Sequence, residues 1–329
     1  MPRVTSPKEL ALAGLLLACL GGCGSPGGPS AVPPWLPAGT VLTFTSGETG
    51  LPVSGASVAV GASSYTTDLS GRITLRTDIA RTAIASSMRV TLTVNHPAYL
   101  QRQTYLRSPD ETSFTLWPAS SPAGIYPEYT QKLVYSNDAP PHGTLPLRRL
   151  PPGTTHVSVV PAPEIQADAR AMEAHRVAVE RMTMGTEGRI RYSLDGTPTA
   201  SVVVRTVIRP EDPCMVVAPG CARSYYTGDQ ITGAEIVFQS IEWPRREVGL
   251  LHELGHTYGL KHSFSLGSDI MGGAPRAVRT VFTPAEVLTM RLMWQRPAGN
   301  HWPDDDRALA GASSASRHTE VISCDFGGR

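Results

Sequence analysis

The sequence predicts an α+β protein: a mixed sheet carrying a histidine-rich helix, preceded by a small antiparallel β-sandwich. Three observations carry that expectation. Short runs with period-2 alternation crowd residues 40–118, as in Val41-Leu-Thr-Phe-Thr45 and Arg89-Val-Thr-Leu-Thr-Val94, and such runs between turn residues read as half-buried strands. From about Tyr129 the segments follow the order strand, helix, four strands, helix, which suits helices packed on a mixed sheet. The last of these helices carries His252-Glu-Leu-Gly-His256, with Gly259 and His262 close behind.

Composition bounds the function. With 329 residues, 41% hydrophobic and 17% charged, the chain is globular and long enough for two domains. A formal charge of +1 gives no reason to expect a nucleic-acid partner or broad attraction to anionic membranes.

Residues 1–22 read as an export signal. Arg3 and Lys8 supply positive charge, and Leu10 to Leu20 is an apolar run too short to span a bilayer. The run ends in Leu20-Gly21-Gly22-Cys23. That tetrapeptide resembles the lipobox of bacterial lipoproteins, which implies lipidation of Cys23 and attachment to the cell envelope through a lipid anchor. Residues 23–39, rich in Pro, Gly and Ser, read as a flexible tether.

Within residues 40–118, the order Gly50-Leu-Pro-Val-Ser-Gly-Ala-Ser-Val-Ala-Val60, then Tyr65-Thr-Thr-Asp-Leu-Ser-Gly-Arg-Ile-Thr-Leu75, then Asn95-His-Pro-Ala-Tyr-Leu100 resembles the carboxypeptidase regulatory-like (transthyretin-like) β-sandwich. Asp68 and Gly71 fit its hairpin turn. Nothing there reads as catalytic: His96 before Pro97 is a loop residue, and the module reads as a structural stalk, with a carbohydrate- or protein-binding spacer as the alternative. Residues 119–128 form a linker, and residues 129–300 the second domain. There Thr155 to Pro161 reads as a strand and Glu164 to Met182 as a helix, with His175 as a packed core residue. Further strands are expected at Arg189 to Leu194, Ser201 to Ile208 and Ala234 to Gln239, with an edge strand around Ser224 to Asp229. Export places Cys214 and Cys221, flanking a loop with Pro219 and Gly220, in an oxidising compartment where they can close a local disulfide. Cys324 has no nearby partner in sequence.

His252 and His256 stand at i and i+4, so on a helix both imidazoles leave one face a turn apart. That spacing suits two ligands of one zinc ion. Gly259 can end the helix in the left-handed conformation and return His262 as the third ligand. Three neutral imidazoles leave a coordination position open, as catalytic sites require. Glu253, about 100° around the helix from His252, reads as the general base for water attack on a peptide carbonyl and not as a ligand.

The run His252-Glu-Leu-Gly-His-Thr-Tyr-Gly-Leu-Lys-His262 resembles the metzincin zinc metalloproteases, and His262-Ser263 matches their matrixin form. The resemblance implies a Met-turn, and Ser268-Asp-Ile-Met271 fits it. It also implies a specificity loop over residues 272–282 and a helix behind the site. Thr283-Pro-Ala-Glu286 opens such a helix with a capping box. The Tyr that astacins and serralysins place two residues after the Met is absent, since Gly273 stands there. The expected activity is zinc endopeptidase action on a protein or peptide. The alternative is a noncatalytic zinc-containing surface binding lipoprotein, which would have no physical need for Glu253. Residues 301–329 read as a tail. Its Asp304-Asp305-Asp306 lacks the spacing of a calcium loop, so Ca²⁺ is unsupported and the run reads as solvated charge. His301 and His318 read as bystanders.

Overall fold

The computed structural model describes residues 36–79, 90–106, 108–137, 143–196, 201–216, 218–263, 268–272, 279–307 and 317–324. The expected signal segment with Cys23, most of the tether, and Gly273 with the loop around it lie outside them. Among the described residues no helix is long and apolar enough to cross a membrane.

The molecule is mixed α+β. Seven strands form two facing sheets: β1 (Val41–Ser46), β2 (Ser57–Val60), β3 (Ser63–Thr66), β4 (Arg72–Thr74), β5 (Val90–Asn95), β6 (Arg102–Leu106) and β7 (Ser113–Leu116). One sheet has the order β4-β1-β7 and the other β3-β2-β5-β6. Alternate residues such as Leu42 and Phe44 of one sheet and Val58, Leu92 and Val94 of the other share one buried cluster, as the period-2 pattern requires. The sandwich is not wholly antiparallel, because β1 and β7 pair in parallel. Leu36, placed by sequence in the tether, is buried in this core and bridges Ile79. The sandwich therefore begins before residue 40.

After a short helix α1 (Pro127–Thr130), a π-helical turn Gln131–Tyr135 and a ribbon of β8 (Ser136–Asn137) and β9 (Gly143–Thr144), the second sheet starts with β10 (His156–Pro161). It continues through β11 (Arg191–Ser193), β12 (Val202–Ile208), β13 (Gly220–Thr227), β14 (Gln230–Phe238) and β15 (Arg317–Cys324), in the order β11-β10-β12-β14-β13-β15. The pairs among β11, β10, β12 and β14 are parallel, whereas β13 is antiparallel to both its neighbours. The segment expected as one helix is two, since α2 (Pro163–Gln166) stops and Asp168 caps a new helix, α3 (Ala169–Gly185), by accepting from the Ala171 amide. Then come α4 (Glu247–Tyr258) and α5 (Pro284–Trp294). Side chains of α3, α4 and α5 bury against Val157, Val159, Val204, Ile236 and Phe238 of the sheet.

Two expectations about residues 301–329 fail. Asp304 and Asp306 are not solvated: both are buried, paired with Arg102 of β6, and Asp304 also pairs with Arg296. Burial pushes the Asp304 carboxyl up, but Arg102 and Arg296 outweigh it and hold the group below the ordinary carboxylate range. The tail also supplies β15, so β13 is an inner strand and not the sheet's edge. Arg296 further donates to the carbonyl of Thr115, and Gln295 to the carbonyl of Gly47. The sandwich is thus joined to the end of α5 by polar contacts of Arg102, Asp304, Arg296 and Gln295.

Candidate metal centre

Helix α4 is buried from Leu250 to Tyr258, so its residues are fixed by packing on every side. It ends at Gly259, whose φ of 119° lies in the left-handed region, and the Leu260 amide reaches back to the Gly255 carbonyl. A Cβ at Gly259 would also overlap the carbonyl oxygen of Arg148. The chain then doubles back, held by the Lys261 amide on the Leu133 carbonyl, and brings His262 beside the helix.

The ligand nitrogens of His252, His256 and His262 lie within 4.8 Å of one another. His252 Nδ1 sits 2.5 Å from the Ile270 carbonyl and His256 Nδ1 sits 2.8 Å from the Leu260 carbonyl. A carbonyl can only accept, so both Nδ1 atoms carry the proton and both Nε2 atoms present lone pairs. Those two Nε2 atoms are 3.1 Å apart. Two lone pairs that close repel unless a cation lies between them. Nitrogens bound to one tetrahedral zinc at roughly 2.0–2.1 Å stand about 3.3–3.4 Å apart, so the pair fits zinc in chemistry and spacing. Burial, followed by the neighbouring His262, lowers His252 to about 3. Burial, with His252 and His262, likewise takes His256 well below its ordinary value. Both rings are therefore neutral at physiological pH, the form in which imidazole binds a metal.

Glu253 is fully buried on the same helix and does not belong to the group of nitrogens. Met271 is buried in a tight turn in which the Gly272 amide reaches the Asp269 carbonyl and the Met271 carbonyl accepts from Ser263. Its thioether lies against Gly255, where an added Cβ would overlap the sulfur. The methionine thus sits under the helix between the first two histidines.

Sequence reasoning missed the second role of Glu286. As the N3 residue of α5 it completes the capping box with Thr283. Its Oε1 also accepts from the Met271 amide at 2.7 Å. It missed Gly255 as well, whose only local sign is the cost of a glycine inside a helix.

Cys214 and Cys221 are joined by a disulfide. Asp212 lies beside them and pairs with Arg223, so this second cluster offers no thiolate to a metal. His175 is buried, with Nδ1 on the Ala171 carbonyl and Nε2 on Thr206 Oγ1, as a core histidine. His301 lies beside the chain's turn at Asp305, and His318 stacks on Tyr226 with ring centroids 4.9 Å apart. No family model matches this chain, and no curated protein matches it.

Proposed function

We propose that the chain is a zinc-dependent endopeptidase of metzincin, matrixin-like type, exported and held at the cell envelope by a lipid on Cys23. The observation that carries this reading is the grouping of three imidazoles, with the Nε2 atoms of His252 and His256 3.1 Å apart and both Nδ1 protons committed to backbone carbonyls. His252, His256 and His262 would hold the ion. When bound, zinc acidifies water toward a pKa of ~7 and polarises a carbonyl. The residue chemistry belongs to Glu253. Its carboxylate removes the proton of the attacking water and delivers it to the leaving amine, so the products are a carboxylic acid and an amine. A binding-only protein would have no physical need for a fully buried carboxylate next in sequence to His252, since burying a polar group without use is costly.

The test is cleavage of a peptide mixture by the purified mature chain with and without chelator, alongside metal analysis. Zinc and chelator-sensitive cleavage are expected in the native chain, and both should fall together in His262→Ala. Cleavage that persists after complete metal removal would contradict the reading. For the anchor, Cys23→Ser should release the protein from membranes, and unchanged fractionation would contradict that part alone.

A further inference from the structure

Strand β13 packs on the metal-site helix, and the chain itself occupies its outer edge. β15 runs antiparallel along the full length of β13, from Gly220 opposite Cys324 to Thr227 opposite Arg317. This strand adds little apolar burial. Ile322 is buried, but Val321 is 45% exposed, and Arg317 and Thr319 are exposed as well. Among the side chains of β15 that are described, Ile322 is the buried apolar one, which is little to set against the entropy of ordering an eight-residue strand.

Polar contacts hold it instead. Glu320 accepts from Lys261 Nζ at 2.7 Å and from the Tyr226 hydroxyl at 2.9 Å, and it pairs with Arg148. His318 stacks on Tyr226 from the same strand. Lys261 precedes His262 in the chain, so β15 is fastened within one side chain of the third histidine.

A strand held by its backbone ladder and by one clustered carboxylate, with little core of its own, is built like a bound peptide: main-chain bonds on a sheet edge, specificity from a few side chains. We propose that β15 is an internal occupant of the peptide-binding edge of the metal site, and that an extended substrate segment pairs with Gly220–Thr227 only after β15 has left it. The proposal rests on the peptidase reading above. It adds a resting state in which the chain blocks its own edge.

The experiment uses the full mature chain in three forms, all carrying Glu253→Ala so that binding is read without cleavage. The first has no other change. The second carries Glu320→Lys, which sets a cation against Lys261 and Arg148 and loosens β15. The third carries Tyr225→Cys with Thr319→Cys, a directly opposed pair that a disulfide can close. The probe is a fluorescent peptide with the sequence of residues 317–323, followed by polarisation. Glu320→Lys should bind it at least roughly tenfold more tightly than the unmodified edge, because the competent state is more populated. The cross-linked form should not bind until reductant is added, and reductant alone on the first form controls for the Cys214–Cys221 bridge. With Glu253 restored, peptidase activity should follow the same order.

Equal peptide binding in all three forms would overturn the proposal. If Glu320→Lys loses its fold or its zinc, the cross-linked form decides: undiminished activity with β15 locked in place would overturn it. If binding follows the expected order while no form cleaves any peptide, the occupied edge stands and the peptidase reading falls.

Discussion

The peptide between Ile270 and Met271 is held on both sides. Its carbonyl accepts from His252 Nδ1, and its N–H donates to Glu286 Oε1. Through that one planar group, α5 is linked to a candidate ligand, a pattern that tunes metal affinity in general. Gly255 acts from the other side by letting Met271 close against the helix. Gly255→Ala is therefore expected to destabilise the fold by about 1–3 kcal/mol, the usual cost of overpacking, although alanine favours helices. Denaturant unfolding measures it, and pairing the change with Met271→Ala should recover part of the loss. A purely additive double variant would mean that the sulfur is not what Gly255 accommodates.

At the scale of elements, the start of α5 binds the turn beneath the histidines. Burial pushes the Glu286 carboxyl up to about 7 from an ordinary 4.5, against the pull of the Thr283 and Met271 amides. The folded chain then holds that proton more tightly than the unfolded chain. The group's contribution to stability is full below the unfolded pKa and is lost as pH rises through the folded one. Stability should thus decline between about 4.5 and 7, and Glu286→Gln should flatten that slope. Denaturation midpoints on either side of the window test this, and an unchanged slope in the variant would remove Glu286 as its source.

What was legible in the sequence follows the same division. The spacing of His252, His256, Gly259 and His262 is local, and helical geometry translates it directly. The capping box at Thr283 to Glu286 is local too. The bond from Glu286 to Met271 spans 15 residues, and nothing in the immediate neighbourhood of either residue announces it. The parallel pairing of β1 with β7 is equally silent, because alternation tells which face is buried and not which strand lies alongside. β15 was hidden for a further reason: Ile322 is buried while Val321 beside it is exposed, and Arg317-His-Thr-Glu-Val-Ile-Ser-Cys324 has no period-2 apolar signal.

At the scale of the whole molecule, the Asp304–Arg296–Arg102 cluster ties the sandwich to the end of α5. All three side chains are buried, and removing one partner of such a group leaves an uncompensated charge. Asp304→Asn is expected to cost on the order of 3–5 kcal/mol and to lower the thermal midpoint of the entire chain. A midpoint within error of the native one would show that the two parts are not energetically joined there.

The proposed zinc peptidase chemistry depends on Glu253 as the base for water attack. It is tested most directly by zinc content and peptide cleavage measured together on Glu253→Ala. The variant is expected to keep the zinc of the native chain and to lose peptidase activity. Undiminished cleavage by the zinc-loaded variant would contradict it.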